Sequence, residues 1–299
     1  MIAEGRRYLD RILPLLGRDP PPTTAAHILR RAAVFCHASD DPAGQAHAER
    51  AAALYRELGD RPNLGRTLCI FVVYHASQGR YAEAKAILLE AQQLLADSRF
   101  KKSQLILTNL LGIVSDYMMN PEDARRYFIQ AVELAGAVQS VREPMYLSNL
   151  GIVEHMSGNI DRAIEVTRAA LSRARLSPGH YILGHLLCNL GGYFLLKDNL
   201  DEARPLLEEA LSLFASRHDY SAIMFLPPLA VLLGARGASR ACRALIGYVE
   251  AERARRKMTA PPDERPLLDK LSTLLSAGLQ PVEIEARRPK ALAGAKRKS

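Results

Sequence analysis

Three stretches of this chain read almost alike: Thr108-Asn109-Leu110-Leu111-Gly112, Leu147-Ser148-Asn149-Leu150-Gly151 and Leu187-Cys188-Asn189-Leu190-Gly191. Their asparagines fall 40 residues apart. Each stretch is followed by a second signature centred on a small residue, Ala124, Ala163 or Ala203. A period of this length describes a stack of similar units, each burying its apolar face on the next, and not one globular core. Stacks of this kind bind partners more often than they catalyse reactions.

The pattern inside one period specifies a helix pair. In residues 143–176, Pro144 suits the first turn of a helix, where its missing N–H is not needed. Leu147, Leu150, Gly151 and Val153 then recur at helical spacing. Gly158 and Asn159 stop that helix and offer a cap to the next. Ile160, Ala163, Ile164, Thr167, Ala170 and Leu171 form one face of a second helix. The same grammar returns at Gly79, Asn120 (with Pro121 at the first helical position) and Asn199. Ala84, Ala124, Ala163 and Ala203 are spaced by 40, 39 and 40 residues, and Ala91, Ala131, Ala170 and Ala210 follow seven residues later each time. Composition agrees: 48% hydrophobic, 6% aromatic and no Trp suit packed helices.

This pattern resembles the tetratricopeptide repeat in a longer-period form. The resemblance rests on Gly112, Gly151 and Gly191 at the eighth position, on Gly79 and Tyr81 in a Gly-x-Tyr turn, and on the paired alanines. It implies an all-α fold of antiparallel helix pairs stacked into a right-handed superhelical solenoid. Residues 21–256 should form six pairs. The first, about 24–58, has Val34 where the small residue belongs, and the second has Val72. The last, about 221–256, has Pro227 and Pro228 inside its first helix, which should bend or delay it. Residues 1–20 read as a partial repeat helix, 257–279 as a capping helix and 280–299 as a basic, disordered tail.

A second resemblance rests on Glu4-Gly5-Arg6-Arg7-Tyr8-Leu9, the Glu57-Leu58-Gly59-Asp60-Arg61 linker, and residues 251–256 with 261–265. These look like the C-terminal repeat region of large bacterial ATP-binding transcriptional regulators of the STAND and LuxR-like type. That resemblance implies a sensor, a partner platform or an autoinhibitory brake. The chain carries no Gly-x-x-x-x-Gly-Lys-Ser/Thr phosphate loop. No cofactor motif, helical His pair of a zinc site or catalytic triad can be argued from spacing. The function expected is a non-catalytic scaffold for protein interaction or signal sensing in bacterial regulation. A peptide- or substrate-binding adaptor unrelated to transcription is the alternative.

The tetratricopeptide resemblance implies that the first helices line a concave groove. Asn149 and Asn189, and Asn109 nearly so, are candidates to pair with the backbone of an extended protein or peptide partner. Asp116, Tyr117, His155 and His185 are placed on the same surface. Tyr8, Leu9, Ile12 and Leu13 can cover only one neighbour, so the N-terminal end is expected to expose an apolar face, for a partner or a second copy. The net charge of +8 is concentrated in residues 287–299, which hold six basic residues and no acid. Without them the body carries 34 basic and 32 acidic residues. A basic track for nucleic acid is therefore not indicated beyond a weak contact by the tail. No apolar run approaches the ~18 residues of a membrane span. The charged N-terminus is unlike a signal peptide, so the cytoplasm is the expected compartment.

Overall fold

The computed structural model describes residues 2–38, 41–176, 182–217, 226–256 and 262–276. The expected disordered tail lies outside them. Among the described residues there are fourteen α-helices and no strand: α1 (Ile2–Ile12), α2 (Pro22–Ala38), α3 (Ala43–Glu57), α4 (Arg61–Ser77), α5 (Tyr81–Leu94), α6 (Lys101–Tyr117), α7 (Pro121–Ala137), α8 (Glu143–Met156), α9 (Ile160–Arg175), α10 (Leu183–Leu196), α11 (Leu200–Arg217), α12 (Leu226–Ala235), α13 (Ser239–Arg256) and α14 (Arg265–Ser276). No described helix is long and apolar enough to cross a membrane. The chain divides into two compact units, residues 1–176 and 177–299. The first stacks four pairs, α2/α3 to α8/α9, behind α1. The second holds α10/α11, α12/α13 and α14.

Small residues set how closely the two helices of a pair approach. Ala84, Ala91, Ala124, Ala131, Ala163, Ala170 and Ala203 are fully buried, and Ala210 is 1% exposed. A Cβ built on Gly112 would lie 2.6 Å from the Phe128 ring, one on Gly151 would lie 2.5 Å from Thr167 Oγ1, and one on Gly191 would lie 2.8 Å from Leu207. Glycine at those positions is thus a packing requirement. The first pair departs from the expected register by one residue. Ala33 is fully buried, whereas Val34 is 39% exposed. The first repeat therefore does have its small residue, and Val34 faces outward.

Each described turn within a pair contains one left-handed residue: Gly79, Met119, Gly158, Asp198 and Gly237. The bonds around it are those of a helix C-cap. The Met119 N–H donates to Asp116 O at 2.8 Å and the Asn120 N–H to Ser115 O at 3.0 Å. Asn120 then caps α7, its Oδ1 accepting from the Asp123 N–H at 3.1 Å. Asn199 does the same for the Glu202 N–H at 3.2 Å. Asn159, expected to cap α9, makes no such bond. Its Nδ2 donates instead to Glu154 Oε2 at 2.9 Å.

The ends are closed by single helices. At α1, Leu9 is 4% exposed and packs with Ala32 and Cys36, with Ile12 and Leu13 against them. The Tyr8 ring sits 4.8 Å from that of Phe35. Arg7, Asp10 and Arg11 face outward. Of the four residues expected to form an apolar end face, Leu9, Ile12 and Leu13 pack on α2, while Tyr8 is 39% exposed, as is nearby Leu15 at 38%. In the second unit, α12 as described runs Leu226–Ala235 and includes Pro227 and Pro228, both buried. Leu267 and Leu271 of α14 are buried, and α14 packs on α12 and α10. The Arg253 guanidinium grips the Glu264 carboxylate with two hydrogen bonds, one of them 2.9 Å, and both residues are buried.

Candidate functional site

Two members of the asparagine row bond to each other. Asn109 is 7% exposed, and Asn149 Nδ2 donates to its Oδ1 at 2.9 Å. Here the amides of two successive first helices, α6 and α8, face one another, the later repeat donating to the earlier. His155 is buried and Asp116 half-buried. Tyr117 is 53% exposed, but its ring stacks on Tyr81, with centroids 5.1 Å apart and planes 1° from parallel. In the second unit, Asn189 and His185 of α10 are half-buried. The His185 ring lies 6.0 Å from that of Phe214.

A groove exists on the first unit, made by other residues. It encloses about 410 Å3 between α2, α4 and α6 and reaches the start of α8. Its apolar lining is Val34, Ile70, Val73, Ile106 and Leu110. Its polar lining is Arg30, His37, Arg66, Cys69, Ser103 and Arg142. Val34 is 39% and Ile106 50% exposed, which is unusual for branched aliphatic residues on a helix that also faces a core. A second depression of about 450 Å3 adjoins it, sharing Ile106 and Arg142 and adding Lys102, Val141 and Tyr146. Neither lining contains an Asp or Glu. Arg66 directs Nε to Ser103 Oγ at 3.0 Å and Nη1 to Asn63 Oδ1 at 3.4 Å, both neutral acceptors. The Arg30 Nε–H is enclosed without an acceptor. Burial pushes the Cys69 thiol up to about 12, so it lines the groove as an inert small group.

None of Asn109, Asp116, Tyr117, Asn149 and His155 lines either depression. The face of α6 turned to the groove carries Ser103, Ile106 and Leu110, and Asn109 lies to its side. Sequence reasoning missed the groove because exposed aliphatic residues on a first helix look like core residues in a periodic pattern. One signal was available: polar residues Arg30, Arg66, Ser103 and Arg142 recur at 36, 37 and 39 residues, close to the repeat period.

A polar cluster at the α8/α9 turn, reached by Arg125 of α7, offers a third concavity of about 480 Å3. Glu154, 1% exposed, accepts from Arg125 Nε at 2.8 Å and from Asn159 there. Its oxygens are occupied from within the chain, which makes it a joint between repeats. Among the described residues no group of three or more His, Cys, Asp or Glu is placed to hold a metal ion.

Comparison with known proteins agrees with this geometry. The tetratricopeptide repeat family model matches residues 141–216. The fold is that of the tetratricopeptide repeat. The solved structures similar to this array include a signal transduction ATPase with numerous domains (STAND) from Pyrococcus horikoshii, with a tetratricopeptide repeat sensor. That match has a TM-score of 0.67 at 14% identity and covers 90% of this chain and 42% of that one. The apo form of RapI matches with a TM-score of 0.65 at 16% identity, covering 86% and 71%. BtubC from P. vanneervenii matches with a TM-score of 0.60 at 18% identity, covering 73% and 91%. At these identities the likeness is one of fold. No curated protein sequence matches the chain.

Proposed function

We propose that this tetratricopeptide array is a non-catalytic scaffold whose first-unit groove holds a segment of a protein partner, in sensing or bacterial regulation. The observation that carries the reading is the groove itself: three successive first helices present Val34, Ile70 and Ile106 to one open depression. Apolar groups left accessible in a concave surface are what a partner's side chains bury. The regulatory part of the reading is supported by the likeness to the STAND protein, whose own tetratricopeptide repeats are a sensor. It is supported also by the sequence resemblance to the repeat regions of bacterial regulators.

A photo-crosslinking residue placed at position 106 should form a discrete adduct in the native cell. The same residue at position 89, exposed on second helix α5, should not. Adducts at 89 with none at 106 would move the contact surface off the groove.

A further inference from the structure

The groove has an order that its lining residues alone do not convey. Arg30 is the ninth residue of α2, Arg66 the sixth of α4, Ser103 the third of α6, and Arg142 immediately precedes α8. The first two steps each move down by three residues, or about 4.5 Å of helix rise. The last keeps level, since Arg142 follows Ser103 by the same 39 residues that separate Gly112 from Gly151. These four form one oblique polar stripe, joined at its centre by the Arg66–Ser103 hydrogen bond. A second stripe runs parallel, about one helical turn above. Val34 is the thirteenth residue of α2, Ile70 the tenth of α4 and Ile106 the sixth of α6. One stripe is cationic and the other aliphatic, and both face the same depression.

We infer that the occupant is an acidic amphipathic polypeptide segment, running obliquely across the first helices with its carboxylates on the Arg30–Arg66–Arg142 stripe and its aliphatic side chains on Val34, Ile70 and Ile106. This rests on the groove reading above and adds the chemistry of the partner. The groove lining has no Asp or Glu beside these guanidinium groups. Arg30 meets the Tyr55 hydroxyl and Arg66 the neutral Ser103 and Asn63. An incoming carboxylate would therefore meet cationic donors in a concave site, where field and hydrogen bonding act together. The aliphatic stripe favours a polypeptide over a nucleic acid, because the lining of the main groove has no Phe, Tyr or Trp on which bases would stack. The chain's own residues 287–299 are excluded as occupant by sign: their six charges are all basic.

Short random peptides displayed on phage and panned at low salt on the full-length protein test this directly. The peptides enriched should be acidic with aliphatic residues. Their binding should fall at least tenfold on Arg66→Gln/Arg142→Gln protein and weaken with added salt. Panning on Arg142→Glu protein should shift the pool toward less acidic sequences. That variant keeps its fold for a simple reason: the Arg142 side chain is exposed, and an acid before α8 suits a helix N-terminus. Unchanged circular dichroism melting checks it. Neutral or basic peptides that are enriched, and lost on Ile106→Asp protein, would overturn the acidic occupant and leave the groove reading intact. No enrichment, or the same pool on wild-type and Ile106→Asp protein, would sink both. Oligothymidine binding more tightly than the selected peptides would also overturn the proposal.

Discussion

Glu154 shows what one buried charge does in a stacked array. It is 1% exposed, sits near the end of α8, and receives Arg125 from α7 and Asn159 from the following turn. The side chain of Arg125 is 47% exposed. The two partners are therefore unequal when removed. Arg125→Met strands a buried carboxylate with one donor fewer and should cost about 2–3 kcal/mol. Glu154→Gln removes the buried charge and leaves Arg125 in water, so it should cost about 1 kcal/mol or less. Urea unfolding of both variants at neutral pH decides it; the reverse order would mean that the pair does not fix this joint. The sequence shows Asn159 as a cap candidate. It does not show an acceptor five residues upstream that competes for the same amide. For the same reason the Asn109–Asn149 bond was not legible: whether two amides face a groove or each other depends on the rotation of the helices, which a spacing of 40 does not specify.

At the scale of elements, the helix pairs were legible because their signals are redundant. Alanines, turn residues and caps recur together, and each agrees with the others. The fully buried alanine ladder of the second helices follows the sequence residue for residue. The turns show why a residue type is a weaker guide than a position. Met119 and Asp198 adopt the left-handed conformation that Gly79 and Gly158 adopt in neighbouring repeats, since the stacked helices on either side dictate the turn. The first repeat was misread by one residue because Ala33 and Val34 both fit a periodic apolar pattern, and burial alone separates them. Gly112 tests how tightly a pair is closed. Gly112→Ala gains about 1 kcal/mol in helix propensity. It also drives a methyl to 2.6 Å from the Phe128 ring, and overpacking costs about 1–3 kcal/mol. The net effect should be a loss of about 1 kcal/mol. A rise in the unfolding midpoint would show that α6 and α7 can separate freely.

For the whole molecule, the division into two units carries its own prediction. Stacked repeats are stabilised by neighbours. The first unit has four pairs and the second has two, ended by α14. All four cysteines are buried and free, Cys36 and Cys69 in the first unit and Cys188 and Cys242 in the second. Burial pushes the Cys69 and Cys188 thiols up to about 12, so the folded chain should react slowly with thiol reagents at pH 8. With rising urea, Cys188 and Cys242 should become reactive before Cys36 and Cys69. Quantifying each labelled peptide by mass spectrometry checks the order. Simultaneous labelling of all four would mean that the array unfolds as one cooperative block.

The oblique stripe across the first unit also acts as a ruler. First helices of adjacent repeats lie roughly 10 Å apart, and each of the first two steps along the stripe adds about 4.5 Å of drop, giving a diagonal of about 11 Å, close to the roughly 10 Å of the level last step. An extended chain covers that in about three residues, a helix in about seven. The cationic positions fall at steps zero, one and three, because Ser103 interrupts them at step two. An occupant matched to this array would repeat that uneven rhythm in its acids: a gap of one step, then a gap of two. Read in residues, the rhythm would reveal whether the bound segment is a strand or a helix, and reading it backwards would give the direction in which it lies.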